Sequence, residues 1–142
     1  MKISFDDIRE LLGKNLSGLW GPDRYWIFQD PVYELVPIDI AQKLVAGAPQ
    51  VAYVTDVYDC DDHALEFKAY VARTQKDSYP AYTRPFCVGF ARGRFAWAAA
   101  GQIEHVANFV VCEDSRVYWT DLQIRNLRPL SDAGKGLAWL IL

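Results

Sequence analysis

Long apolar runs are missing from these 142 residues, and so is an excess of either charge. The most apolar stretches, near residues 95–100 and 137–142, fall well short of the roughly 20 residues that span a bilayer, which excludes a transmembrane helix. The 15 basic and 18 acidic side chains leave a formal net charge of −3, and neither sign forms a block. Bulk charge therefore recruits neither nucleic acid nor an anionic membrane. Cysteine is scarce: Cys60, Cys87 and Cys112 are odd in number and widely separated, so free thiols in a reducing compartment are expected rather than a disulfide framework. The opening Met1-Lys2-Ile3-Ser4-Phe5-Asp6-Asp7 has no apolar signal core, and cytoplasmic residence follows as an expectation. Fixed-period repeats and low-complexity tracts are absent as well, which excludes solenoid and fibrous classes.

What is present suits one globular domain over residues 1–142. Hydrophobic residues make up 51% and charged residues 23%, enough to bury a core without staples. Aromatic residues reach 14%, which fits either a thick core or a surface that grips a ligand. Ser4 or Asp6 is placed to cap a short helix through Ile8, Leu11 and Leu12, with Gly13 as its stop. A turn at Gly21-Pro22 leads into an extended segment that Pro31 ends, and a second short helix runs between Pro37 and Gly47. After an extended stretch at Val51-Ala52-Tyr53-Val54, Asp56 or Asp59 caps a helix to about Arg73. On it Cys60, Ala64, Phe67 and Val71 form the buried stripe while Glu66 and Lys68 face away. From Pro85 onward the pattern changes to short β-prone runs at residues 86–90, 95–99, 103–112 and 116–123. The expected fold class is α+β, with N-terminal helices packed on a C-terminal antiparallel sheet. The apolar tail after Gly136 reads equally as a final strand or a helical turn.

Chemistry concentrates around Cys60. A thiol in the first turn of a helix feels the positive end of the macrodipole, which favours the thiolate, whereas Asp59 and Asp61 oppose it. A cationic partner is then required, and His105 is the candidate. If Glu113-Asp114-Ser115 forms a three-residue loop, Cys112 pairs with Arg116, His105 lies opposite Gln123, and Asp121 sits diagonal to the imidazole on the same face. Asp121 would orient the ring in a Cys–His–acid arrangement.

The order of a helix-start Cys, a strand-opening His and an acid on the next strand resembles the papain-like and transglutaminase-like cysteine hydrolases. Tyr58-Asp59-Cys60-Asp61-Asp62-His63-Ala64, with His105-Val106-Ala107-Asn108 and Val117-Tyr118-Trp119-Thr120-Asp121-Leu122-Gln123, is similar to small phage and bacterial papain-like domains. It is also similar to the C-terminal protease domain of mushroom agglutinins. The resemblance implies a peptidase or amidase working through a thioester on a peptide or protein substrate, with Cys60 as nucleophile, His105 as base and Asp121 as orienting acid. It also implies calcium near Asp59, Asp61 and Asp62, whose plainer role is to cap the helix. Such a family places a Gln a few residues before its nucleophile, and none stands between Val51 and Cys60. That departure motivates the alternative of a catalytically inactive papain-like module that binds a host or partner protein.

Other residues carry weaker signals. Cys60, His63, His105 and Cys112 lack the paired spacings of a zinc site, and Cys87 and Cys112 read as buried hydrophobes. The aromatic segment at residues 20–26 serves either as packing for the short helices or as a wall beside Cys60. Arg92-Gly93-Arg94 reads as a charged hairpin turn.

Overall fold

The computed structural model describes residues 1–17, 20–27, 29–54, 59–93, 105–122, 125–130 and 137–142. Its first elements are β1 (Lys2–Ser4) and α1 (Phe5–Asn15). Ser4 caps α1 by accepting the Asp7 backbone N–H at 3.3 Å, and the helix runs through Gly13 rather than ending there. β2 (Trp20–Ile27) and β3 (Val32–Glu34) follow, then α2 (Ile38–Gly47) and α3 (Cys60–Ser78). α3 is a turn longer than its sequence suggested because nothing breaks it before Tyr79 and Pro80. The remaining strands are β4 (Val88–Gly93), β5 (His105–Val111), β6 (Val117–Thr120), β7 (Arg128–Pro129) and β8 (Leu137–Ile141).

The α+β class holds, with two corrections to its layout. First, β1 and β3 form a separate two-stranded antiparallel sheet, too short to leave any period in the sequence. Second, the main sheet has six strands in the order β2-β8-β4-β5-β6-β7, and its β2–β8 pair is parallel. A strand from the N-terminal half thus closes one edge of a sheet expected to come only from the C-terminal half. An edge tolerates Pro22, and the β2–β8 register shifts between Trp20 and Tyr25. The C-terminal tail is resolved as a strand, β8. The sequence run at residues 95–99 lies outside the described residues.

Helices cover both faces of the sheet. Along β5, Ala107, Phe109 and Val111 pack with Ile8, Leu12 and Leu16, whereas Val110 and the following Cys112 pack with Phe67, Val71 and Leu44. Period-two alternation sends neighbouring side chains into two different cores, which is why every residue of β5 is buried. Asn108 ties α3 to the sheet: its buried Nδ2 donates to the Ala64 carbonyl at 2.9 Å and to the Gly89 carbonyl at 3.2 Å. Gly89 itself has no room for a side chain, since a Cβ there would lie 2.0 Å from the Ile141 carbonyl oxygen.

Two orientations expected on α3 also change. Lys68 does not face away but reaches the Val88 carbonyl at 2.7 Å. It flanks Phe67 on the helix wheel, and its long stem follows the apolar seam between α3 and β4. Glu66 is half-buried and meets Arg73 at 3.2 Å. Among the described residues, no helix is long and apolar enough to cross a membrane.

Candidate functional site

The N-terminus of α3 meets the start of β5. Asp59 is the N-cap, and a capping box links it to Asp62, whose carboxylate accepts the Asp59 backbone N–H at 3.4 Å. This fixes Cys60 in the first turn, half-buried. The β5–β6 register pairs Val111 with Val117 and Asn108 with Thr120, and the Cys112 N–H donates to the Arg116 carbonyl at 3.0 Å. Glu113-Asp114-Ser115 is therefore the three-residue loop read from the sequence. Its register brings His105 Nε2 within 2.5 Å of Asp121 Oδ2, with both side chains buried. Gln123, expected opposite His105, lies outside the described residues.

A cavity of about 400 Å³ opens where these elements meet, and both Cys60 and His105 line it. Leu65, Phe90 and Val106 supply apolar wall, and Asp61 and Arg92 supply charge. Arg92 is not the hairpin-turn residue expected from sequence: it lies within β4 and pairs with Val106. Sequence reasoning missed Phe90 and Arg92 as site residues. Their signal was the period of two along β4, which puts Val88, Phe90 and Arg92 on the face that α3 covers.

Electrostatics at the thiol oppose activation. Burial raises the Cys60 pKa above its ordinary value, and the Asp59 and Asp61 carboxylates raise it further, while a backbone hydrogen bond from Val106 pulls the other way. Asp59 is itself pushed up, chiefly by its hydrogen bond with Asp61.

The Asp59, Cys60 and Asp61 side chains converge to within 4.8 Å of one another, the one grouping among the described residues with metal-ligand chemistry. It offers two carboxylates and a thiol, at most four of the six to eight oxygens calcium collects. Asp62, the third carboxylate expected there, is committed to the cap. A zinc set shared by His105 and Cys112 is excluded, because seven residues of β5 separate them by about 23 Å at a strand's rise. Cys87 and Cys112 are both buried in apolar cores, as expected.

No family model matches the chain, and no curated protein does. Solved structures do. One titled "PSL1a-E64 complex" aligns with a TM-score of 0.78 at 18% identity, covering 99% of this chain and 50% of that one. Another, Polyporus squamosus lectin bound to the human-type influenza-binding epitope Neu5Aca2-6Galb1-4GlcNAc, aligns with a TM-score of 0.74 at 18% identity, covering 99% and 49%. The likeness establishes a shared fold, and this chain spans about half the length of the structures it matches. It also corrects the resemblance drawn from the Asp-Cys-Asp-Asp segment. The second of these neighbours bears the name of a lectin, and neither bears that of a papain-like or transglutaminase-like hydrolase. The reading as a cysteine peptidase or amidase working through a thioester, drawn from that segment, is accordingly overturned.

Proposed function

We propose that the chain is a non-catalytic binding module that seats a small oligosaccharide in the cavity beside Cys60 and His105. The observation that carries this reading is the cavity itself, of about 400 Å³, which pairs apolar wall with charged side chains beside a thiol whose pKa burial raises. A sugar ring presents C–H faces that suit Phe90, and hydroxyls that suit a carboxylate acceptor at Asp61 and a guanidinium donor at Arg92. The His105–Asp121 contact sets the imidazole in place, so Cys60, His105 and Asp121 form the centre of a binding site. A glycan epitope named as the ligand of one structural neighbour points to the same ligand class.

A protein partner is the second reading, favoured by a specific surface. Val51, Tyr53 and Val54 are exposed at 41%, 45% and 47%, as is Leu65 at 52%, and Leu65 also lines the cavity. Tyr53 stacks on His63 of α3 with ring centroids 6.1 Å apart, which ties the extended segment to the helix.

Glycan-array screening, followed by calorimetric titration of the best ligand, tests the main reading. Arg92→Ala and Asp61→Asn are each expected to weaken binding by about tenfold or more, since each removes a charged hydrogen-bonding group. Absence of any glycan ligand, or equal affinity in both variants, overturns it in favour of the protein partner. Iodoacetamide labelling at neutral pH checks the thiol independently: slow alkylation of Cys60 is expected, and rapid alkylation would overturn the non-catalytic assignment.

A further inference from the structure

A second cavity, of about 150 Å³, lies further along α3 and shares no lining residue with the first. Lys68 and Tyr33 bring hydrogen-bond donors to it. The Lys68 ammonium has three N–H bonds, and among the described residues only the Val88 carbonyl receives one, at 2.7 Å. The Tyr33 hydroxyl accepts the backbone N–H groups of Gln29 at 3.2 Å and Asp30 at 3.0 Å. Those two contacts occupy both lone pairs and leave its proton to be donated, and among the described residues nothing receives it. Tyr33 is 1% exposed, so open solvent does not satisfy that proton.

Val71, Ala72, Phe86 and Val88 supply apolar wall, and Gln75 of the helix, which also lines the cavity, has its amide engaged with the Arg84 carbonyl at 2.6 Å and the Phe86 backbone N–H at 2.9 Å. Burial already pulls the Lys68 pKa below its ordinary value, a penalty that an incoming anion relieves. Asp30 adds one carboxylate at the exposed side of the cavity. It attracts the Lys68 ammonium, and it repels a ligand with two negative charges about twice as strongly as one with a single charge.

We propose that this cavity binds the anion of a short-chain monocarboxylic acid, its carboxylate held by Lys68 and Tyr33 and its hydrocarbon end against Val71, Ala72 and Phe86. The volume matches about five waters at roughly 30 Å³ each, room for four to six heavy atoms. A phosphate fits the donors but leaves the apolar walls unused and meets Asp30 with excess charge. The site is independent of the glycan cavity, and either can fail without the other.

Amide NMR titration of the full chain with acetate, butyrate and inorganic phosphate is the test. Saturable shifts are expected at Gln29, Asp30 and Val88, with butyrate about tenfold tighter than acetate, because two further methylenes leave water. Lys68→Met abolishes those shifts, and Tyr33→Phe weakens butyrate by about tenfold. If Lys68→Met does not fold, Tyr33→Phe, which deletes one oxygen, carries the comparison. Absence of saturable shifts means that water alone fills the cavity and overturns the proposal. Phosphate binding as tightly as butyrate overturns the carboxylic-acid assignment, and unchanged affinity in Tyr33→Phe overturns the donor argument.

Discussion

The β5–β6 hairpin carries two contacts to an aspartate, one at each end. At the open end Asp121 accepts from His105 at 2.5 Å with both side chains buried, and at the turn Asp114 accepts the Tyr118 hydroxyl at 2.7 Å in solvent. The distances nearly match, but the energies should not. A buried polar pair has already given up its water, so removing one partner leaves the other desolvated, whereas an exposed pair exchanges its bond for water at little cost. The open end therefore holds the costlier of the two contacts. The turn end has to hold only the register.

Replacing each aspartate separates the two. Asp121→Ala is expected to destabilise the fold by about 3 kcal/mol in urea unfolding, and Asp114→Ala by about 1 kcal/mol or less. The latter loses one further bond, from the Arg116 backbone N–H at 3.0 Å. Equal losses would mean that burial does not distinguish the two ends, and the comparison would collapse.

Much of this hairpin was legible in the sequence, because three polar residues between two β-prone runs fix one register and that register alone brings His105 to Asp121. Cys60 at the start of α3 was legible for a similar local reason, the Asp59 cap with its reciprocal Asp62. Other features were hidden by distance along the chain. Nothing local tells β2 to pair with β8 across more than a hundred residues, and three-residue strands such as β1 and β3 carry no period. Lys68 was misjudged because helical periodicity assigns a direction to Cβ, not to the end of a four-carbon stem. Function was harder to read than geometry. The same Cys–His–Asp order that suggested a nucleophile stands in a setting whose burial and carboxylates raise the thiol pKa.

The turn end differs in its titration as well. Cys112, at the end of β5, is buried and its pKa is pushed up to about 12, first by desolvation and then by Asp114 and Glu113, from an ordinary value of 9.0. A folded-state pKa above the unfolded one means that the stabilising effect is complete below pH 9 and is lost as pH rises from there towards 12. In that window each thiol so shifted lowers stability by about 1.4 kcal/mol per pH unit. Cys87 is shifted in the same direction by burial. Urea unfolding between pH 8.5 and about pH 10 should therefore show a steeper alkaline loss for the natural chain than for Cys112→Ala, whatever the offset that the smaller side chain introduces at lower pH. Parallel pH profiles would show that Cys112 ionises in the folded state and that the turn end is wetter than its packing indicates.

The smallest effect concerns two backbones in the same left-handed region. Ser115, in the turn, has φ 61°, and Arg125, beyond the open end, has φ 52°. A side chain costs roughly 1–2 kcal/mol in that conformation, and glycine removes the cost at the expense of about 0.5–1 kcal/mol of extra freedom in the unfolded chain. Ser115 makes its turn contact through the backbone, donating to the Cys112 carbonyl at 3.0 Å, so Ser115→Gly should stabilise by about 0.5 kcal/mol. Arg125 also uses its side chain: Nη2 donates to the Ala46 carbonyl at 2.6 Å and the Ala48 carbonyl at 3.0 Å, closing the C-terminal end of α2. Arg125→Gly relieves the same strain but forfeits those charged bonds, and a net loss of about 1 kcal/mol is expected. Opposite signs in thermal unfolding would show that strain at the turn is merely tolerated, while strain beyond the open end is offset by what the side chain reaches. The same sign for both would remove that distinction.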